Sequence, residues 1–86
     1  MSTSERLLED LIEELGQLEA GGIWVDCLKN LIQFVKENRE RIDKSKTYEF
    51  GEYEEEGDEF RCKIILETGV IVYGVKDGRP YAKWME

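Results

Sequence analysis

The sequence predicts an α+β domain in which an N-terminal antiparallel helical hairpin packs on one face of a three- to four-stranded antiparallel meander, in the order ααββββ. Three observations carry this prediction. Apolar residues recur at intervals of three to four positions in the first half of the chain, and from Thr47 the period changes to two. Two short turns, Thr68-Gly69 and Asp77-Gly78, both place apolar residues opposite apolar residues on the same sheet face.

The first helix is expected over about 4–19. Ser2 and Glu5 have the spacing of a capping box, in which each residue's side chain satisfies the other's backbone N–H. Leu7, Leu8, Leu11, Ile12, Leu15 and Leu18 then form one face. Gly16 weakens the helix late, and Ala20-Gly21-Gly22 ends it. A second helix over about 23–42 presents Trp24, Cys27, Leu28, Leu31, Ile32 and Val35, widened by Ile23 and Phe34. Its basic C-terminal stretch suits the negative end of a helix. A connection of a few residues makes the pair a hairpin.

Strands are expected over about 47–54, 59–67, 70–76 and 79–85. Asp77-Gly78 is a type I′ hairpin signal. It pairs Lys76 with Arg79, Val75 with Pro80, Tyr73 with Ala82 and Ile71 with Trp84. Pro80 then falls at a non-hydrogen-bonded position, which makes the last strand an edge. Taken as a two-residue turn, Thr68-Gly69 pairs Leu66 with Ile71, Ile64 with Tyr73 and Cys62 with Val75.

The stretch YEFGEYEEEGDEF, residues 48–60, holds seven carboxylates and four aromatic rings. A bulge at Gly51, opposite Cys62, is expected to turn Tyr48, Phe50 and Tyr53 toward the core, with Phe60 joining them across a turn at 55–58. Glu49, Glu52 and Glu54 then face outward beside Arg61 and Lys63. Glu55, Glu56, Asp58 and Glu59 are left as an unpaired acidic tip.

An 86-residue chain supports one domain with a modest core. Its net charge of −8 disfavours direct nucleic-acid binding and attraction to anionic membranes. No apolar run reaches the roughly 20 residues that span a bilayer, and the N-terminus lacks a basic signal-peptide region, so the expectation is a cytoplasmic protein. Cys27 and Cys62 stand outside any CxxC spacing and read as buried reduced thiols. There is no histidine, no Walker loop, no GxGxxG before a helix and no GxSxG. The acidic stretch does not follow the alternating ligand pattern of an EF-hand loop. The chain is therefore expected to be non-enzymatic, with no catalytic residues, no metal site and no cofactor.

Charge is segregated along the chain. Residues 1–19 carry six acids and one base, and residues 47–60 carry seven acids and no base. Residues 29–46 carry six bases and three acids. Glu9, Asp10, Glu13 and Glu14 lie opposite the leucine face and, with Glu55, Glu56, Asp58 and Glu59, are the candidate contacts for a protein partner with a basic surface. In composition the chain resembles the small acidic inhibitors that phages direct against nucleic-acid-handling machinery. That resemblance implies a viral inhibitor or adaptor occupying a basic site, a nucleic-acid mimic.

The outer sheet face offers a different candidate. Ile65, Val70, Val72 and Tyr81, rimmed by Lys63 and Lys83, form an apolar stripe suited to docking or to a homodimer. The alternatives to an acidic inhibitor are thus a self-associating structural protein, or a small single-stranded nucleic-acid binder using Tyr81 and the lysines.

Overall fold

The structure is a computed structural model and describes residues 1–18 and 21–86. Three helices, α1 (Thr3–Gln17), α2 (Ile23–Glu37) and α3 (Arg39–Asp43), precede five strands. These are β1 (Tyr48–Phe50), β2 (Glu54–Glu56), β3 (Glu59–Leu66), β4 (Gly69–Lys76) and β5 (Arg79–Met85). The sheet is antiparallel with the order β1-β3-β4-β5, and β2 extends the β1 edge along β3. The predicted α+β architecture is the one observed, with the helices on one face of the sheet.

The capping box forms as expected. Glu5 N–H donates to Ser2 Oγ at 3.2 Å, and Ser2 N–H donates to Glu5 Oε1 at 3.1 Å. Hydrogen bonding from Ser2, first from its backbone N–H, holds the Glu5 carboxyl below its ordinary range. The α1 helix closes at Gln17, with Leu18 extended. The expected end of the helix at Glu19 and Ala20 lies outside the described residues. Leu7, Leu8 and Leu11 are buried and Leu15 and Leu18 half-buried, but Ile12 is 54% exposed. At 100° per residue Ile12 stands far round from Leu7 and Leu11, beyond the arc that the sheet and α2 cover.

The second predicted helix is divided at Asn38, which has no glycine or proline beside it. Asn38 Nδ2 donates to the Phe34 carbonyl at 2.8 Å, capping α2. Its Oδ1 accepts from the Trp84 indole N–H at 3.0 Å. A helix interior would deny the side chain this second contact. The short helix α3 then turns Ile42 into the core, where it is fully buried.

The β4–β5 register is the predicted one, from Lys76↔Arg79 through Ile71↔Trp84. The β3–β4 register differs by two residues. The turn is Glu67-Thr68, and the pairs are Leu66↔Gly69, Ile64↔Ile71, Cys62↔Tyr73 and Phe60↔Val75. A two-residue shift preserves the face, so every residue assigned to the core side stays there. The core joins Leu7, Leu11, Leu28, Leu31 and Val35 to Ile42, Ile64, Ile71 and Val75. Cys27 and Cys62 are free and buried within it. Burial pushes the Cys27 thiol up to about 12, and its Sγ lies 3.4 Å from the Gly74 carbonyl.

One polar joint ties the helical layer to the sheet. Ser45, 1% exposed, accepts the Thr68 N–H at Oγ (3.1 Å). Thr68 Oγ1 donates to the Arg41 carbonyl at 3.1 Å, so the 3.0 Å contact between the two hydroxyls has Ser45 as donor. Thr3 Oγ1 donates to the Ser45 carbonyl, and Ser4 N–H donates to Asp43 Oδ1 at 2.8 Å. The Arg41 guanidinium bonds the Thr68 carbonyl at 2.9 Å and stacks 3.8 Å from the Trp84 ring centroid. Gly69, at φ +147°, lies beneath it. A Cβ there would be strained at this φ and would stand 2.7 Å from Arg41 Nη2, so a side chain would push the guanidinium aside. Replacing Ser45 with alanine leaves the Thr68 N–H and hydroxyl short of a partner. Urea unfolding of Ser45→Ala is expected to show a loss of about 2 kcal/mol, and an unchanged midpoint would show that the joint is dispensable.

Candidate functional site

The hairpin between β2 and β3 is tighter than the sequence suggested. Glu56 pairs with Glu59 around a Gly57-Asp58 turn, with Gly57 at φ +60°, rather than around residues 55–58. Both carboxylates therefore emerge on the outer face beside Arg61. Arg61 bonds Glu54 at 2.8 Å and Glu56 at 2.9 Å, and stands 3.9 Å from Glu59. Lys63 adds a contact to Glu54 at 3.5 Å. Glu59 also accepts from Tyr81 Oη at 2.5 Å. The Arg61 hydrogen bond holds Glu54 below the usual carboxylate range, and the Tyr81 bond does the same for Glu59. The four-carboxylate tip is thus not unpaired: Glu56 and Glu59 belong to the Arg61 network. Glu55 has a long contact from Tyr53 Oη at 3.5 Å, and Asp58 forms no ion pair among the described residues.

The phase shift at Gly51 is present but placed differently. Phe50 pairs with Ile64 while Glu54 pairs with Arg61, so residues 51–53 oppose only 62 and 63. Gly51 N–H donates to the Lys63 carbonyl at 2.8 Å, which sets the bulge against Lys63 and not against Cys62 alone. Tyr48 packs on the core as expected. Phe50 and Tyr53, however, remain 42% and 52% exposed, because the edge extends past the helical cover. Phe60 is half-buried and stacks with Tyr53 at 6.2 Å between centroids.

The outer sheet face is not a simple apolar stripe. Val72, in the middle of the sheet, is only 5% exposed, flanked across strands by Lys63 and Lys83. The aliphatic stems of those lysines can cover it while their charges stay in water. Exposed apolar surface is confined to one cross-strand row, Ile65–Val70–Met85, in which Met85 is an addition to the residues chosen from the sequence. The alternation that sends Tyr81 and Lys83 outward also reaches Met85. Tyr81 stands opposite Gly74, as expected, with the Lys83 ammonium 5.9 Å from its ring centroid. A Cβ on Gly74 would fall 1.7 Å from the Phe60 carbonyl oxygen, so the close backbone approach requires glycine.

The acidic helix meets the sheet at one specific contact: Tyr48 Oη donates to the Asp10 carboxylate. Burial first, then this bond, raises the Tyr48 phenol to about 12. Glu9, Glu13 and Glu14 are exposed. Glu14 lies close enough to the sheet for its charge to contribute to the raised values of Cys62 and Tyr73. Beyond it a shallow apolar cleft of about 350 Å³ is lined by Ile23, Trp24, Tyr53 and Phe60. Periodicity and the bulge at Gly51 predict all four on the core side, and no local signal marks the gap between the α2 N-terminus and the hairpin. Among the described residues no cluster of three or more potential ligands is placed to hold a metal ion. No helix among them is long and apolar enough to cross a membrane.

Comparisons with protein-family models, with curated proteins and with solved structures found no match to this chain.

The four tyrosines report on this geometry. All have phenols raised above the ordinary value, chiefly by burial, with Asp10 acting on Tyr48 and Glu59 on Tyr81. A raised folded-state value means the neutral phenol favours the fold. That contribution is complete below about pH 10 and is lost as pH climbs through the folded-state values. Ultraviolet titration should show little tyrosinate until the protein unfolds in alkali, and Asp10→Asn should release Tyr48 earlier. Ordinary titration of all four phenols in the folded protein would contradict the described contacts.

Proposed function

We propose that the chain is a non-enzymatic protein-binding module, an inhibitor or adaptor that lays a carboxylate-rich edge against a basic site of the nucleic-acid-binding kind on a partner protein. The observation that carries this reading is the Tyr48–Asp10 contact. It ties the acidic flank of α1 to the β1 edge, and Glu9, Glu13 and Glu14 on that helix, like Glu52 and Glu55 further along the edge, are exposed. Arg6, the single base of residues 1–19, stands one turn before Asp10, where its guanidinium donates to the Lys46 carbonyl at 2.6 Å and its charge reaches Tyr48, so it offsets the acids at that end of the flank. The backbone that carries these carboxylates is already ordered in the helix and at the strand edge, which lowers the entropic cost of recognition. Because Glu56 and Glu59 are engaged by Arg61 and Tyr81, the recognition surface is centred on the helix and edge, with Glu55 and Asp58 at its margin. A phage-type role against nucleic-acid-handling proteins, acting in the cytoplasm, is the biological setting that this chemistry suits.

The test is capture of a lysate protein by the wild type and by a variant with Glu9, Glu13, Glu14 and Glu52 changed to glutamine. The captured protein should be lost with the variant and displaced from the wild type by heparin, a competitor for basic sites. Equal capture by both would end the proposal.

A second reading rests on the Ile65–Val70–Met85 row, whose two outer residues are 42% and 46% exposed on an otherwise charged face. Self-association through this row predicts a dimer by sedimentation that Ile65→Glu converts to a monomer. The leading reading predicts that both are monomers. Direct nucleic-acid binding would have to use Lys76, Arg79 and Lys83 around Tyr81. The net charge of −8 opposes it, and a low-salt gel shift with single-stranded DNA decides it.

A further inference from the structure

We infer that the cleft between the N-terminus of α2 and the β2–β3 hairpin receives one apolar anchor side chain from a basic peptide segment, with lysine or arginine on either side of the anchor. This rests on the acidic-edge reading above and specifies what the partner must present. The cleft walls are Ile23, Trp24, Tyr53 and Phe60, with no charged group among them. Its volume of about 350 Å³ is at the lower end for ligand pockets and has room for an apolar side chain. Two concavities on the outer face are lined largely by charged side chains and Tyr81, so neither offers a comparable apolar seat.

The walls are built rather than incidental. Tyr53 and Phe60 stack with an interplanar angle of 24°, forming a flat aromatic side. Trp24 is half-buried against the core and is therefore held in place, while Ile23 and Tyr53 stay exposed at the mouth. Exposed aromatic and aliphatic side chains around a fixed indole have the composition of a binding hot spot, not of a solvated helix end.

The surroundings give the sign of the partner's charge. Glu55 stands directly across the strand pair from Phe60 and is in contact with Tyr53. Asp26 lies one helical turn beyond Ile23. Glu14 approaches from α1, close enough to act on Cys62 and Tyr73. Arg61, the base next to Phe60 in the chain, points to the opposite face of the sheet and is held there by Glu54 and Glu56. An apolar seat with carboxylates around it rejects an acidic segment and steers a basic one, while the anchor contributes the part of the affinity that salt does not screen.

The experiment is an amide and indole NMR titration at low salt with three heptapeptides. One carries a leucine between two runs of three lysines, the second a serine between the same lysines, and the third a leucine between two runs of three glutamates. Trp24→Phe assigns the two indole signals. The leucine–lysine peptide should shift the Trp24 indole and bind about tenfold more tightly than the serine–lysine peptide, the factor expected for partial burial of one leucine. Ile23→Gln should abolish that preference while leaving the serine–lysine peptide's affinity unchanged. If both lysine peptides bind equally and the Trp24 indole stays still, the cleft is not used, although the acidic-edge reading survives. Absence of any shift along the acidic edge with either lysine peptide would sink both. Equal binding of the glutamate peptide, or a Trp24 shift that follows protein concentration alone, would assign the cleft to a different occupant and overturn the inference.

Discussion

The arrangement of helices on sheet depends on the buried joint around Ser45. A core of aliphatic side chains is non-directional and tolerates sliding, whereas hydrogen bonds in a low-dielectric site do not. Ser45 and Thr68 satisfy each other, Thr68 returns a bond to the Arg41 carbonyl, and the Arg41 side chain closes the loop onto Thr68 and Trp84. Three segments far apart in sequence, the start of α1, the end of α3 and the β3–β4 turn, are thereby locked to a common origin. Once that origin is set, Asp10 of α1 arrives within reach of Tyr48. The acidic edge is a downstream result of a polar contact that carries no net charge change of its own.

The distribution of carboxylates follows from how the strands count. On the outer face, cross-strand pairing gathers Glu54, Glu56 and Glu59 around one guanidinium, and nearby opposite charges neutralise what composition alone suggests is a strongly negative hairpin. Each such exposed pair contributes on the order of 0–1 kcal/mol, so the network's effect is greater on the surface potential than on stability. On the other side, α1 and the bulged edge present more acids than bases, with Arg6 beside the Asp10–Tyr48 contact as the base that α1 itself supplies. The same composition thus yields one neutralised face and one negative edge.

Much of this was legible in the sequence where local chemistry decides the outcome. Asp77-Gly78 specifies its own turn, and the β4–β5 register follows residue by residue. The capping box at Ser2 and Glu5 is likewise a local contract. The misplaced β3–β4 turn shows the limit. Thr68-Gly69 looks like a turn pair, but Thr68 is claimed by Ser45 and Arg41, and Gly69 is needed in the strand to pass beneath the guanidinium. Those contacts span more than twenty residues of sequence and leave no trace in local propensity. The break at Asn38 has the same origin, since its reason is the indole of Trp84. The candidate surfaces were less legible than the fold: exposure of Phe50, Tyr53 and Ile12 depends on how far the helical layer reaches, which periodicity does not record. The Trp24 cleft is a gap, and a gap has no residue of its own to announce it.

The extra residue between Phe50 and Glu54 has a consequence for how copies of the chain behave when crowded. An uninterrupted strand of nine residues along this edge would offer a continuous ladder of free amides and carbonyls to any neighbour. The bulge divides it into two three-residue pieces whose donors are out of step, and Glu49, Glu52 and Glu55 add mutual repulsion between copies. At the opposite edge Pro80 withholds a donor from the start of β5. A sheet that places an exposed, aromatic-rich edge at the molecule's surface thereby carries features that oppose edge-to-edge pairing, and the rings at that edge stay open to a partner of another kind.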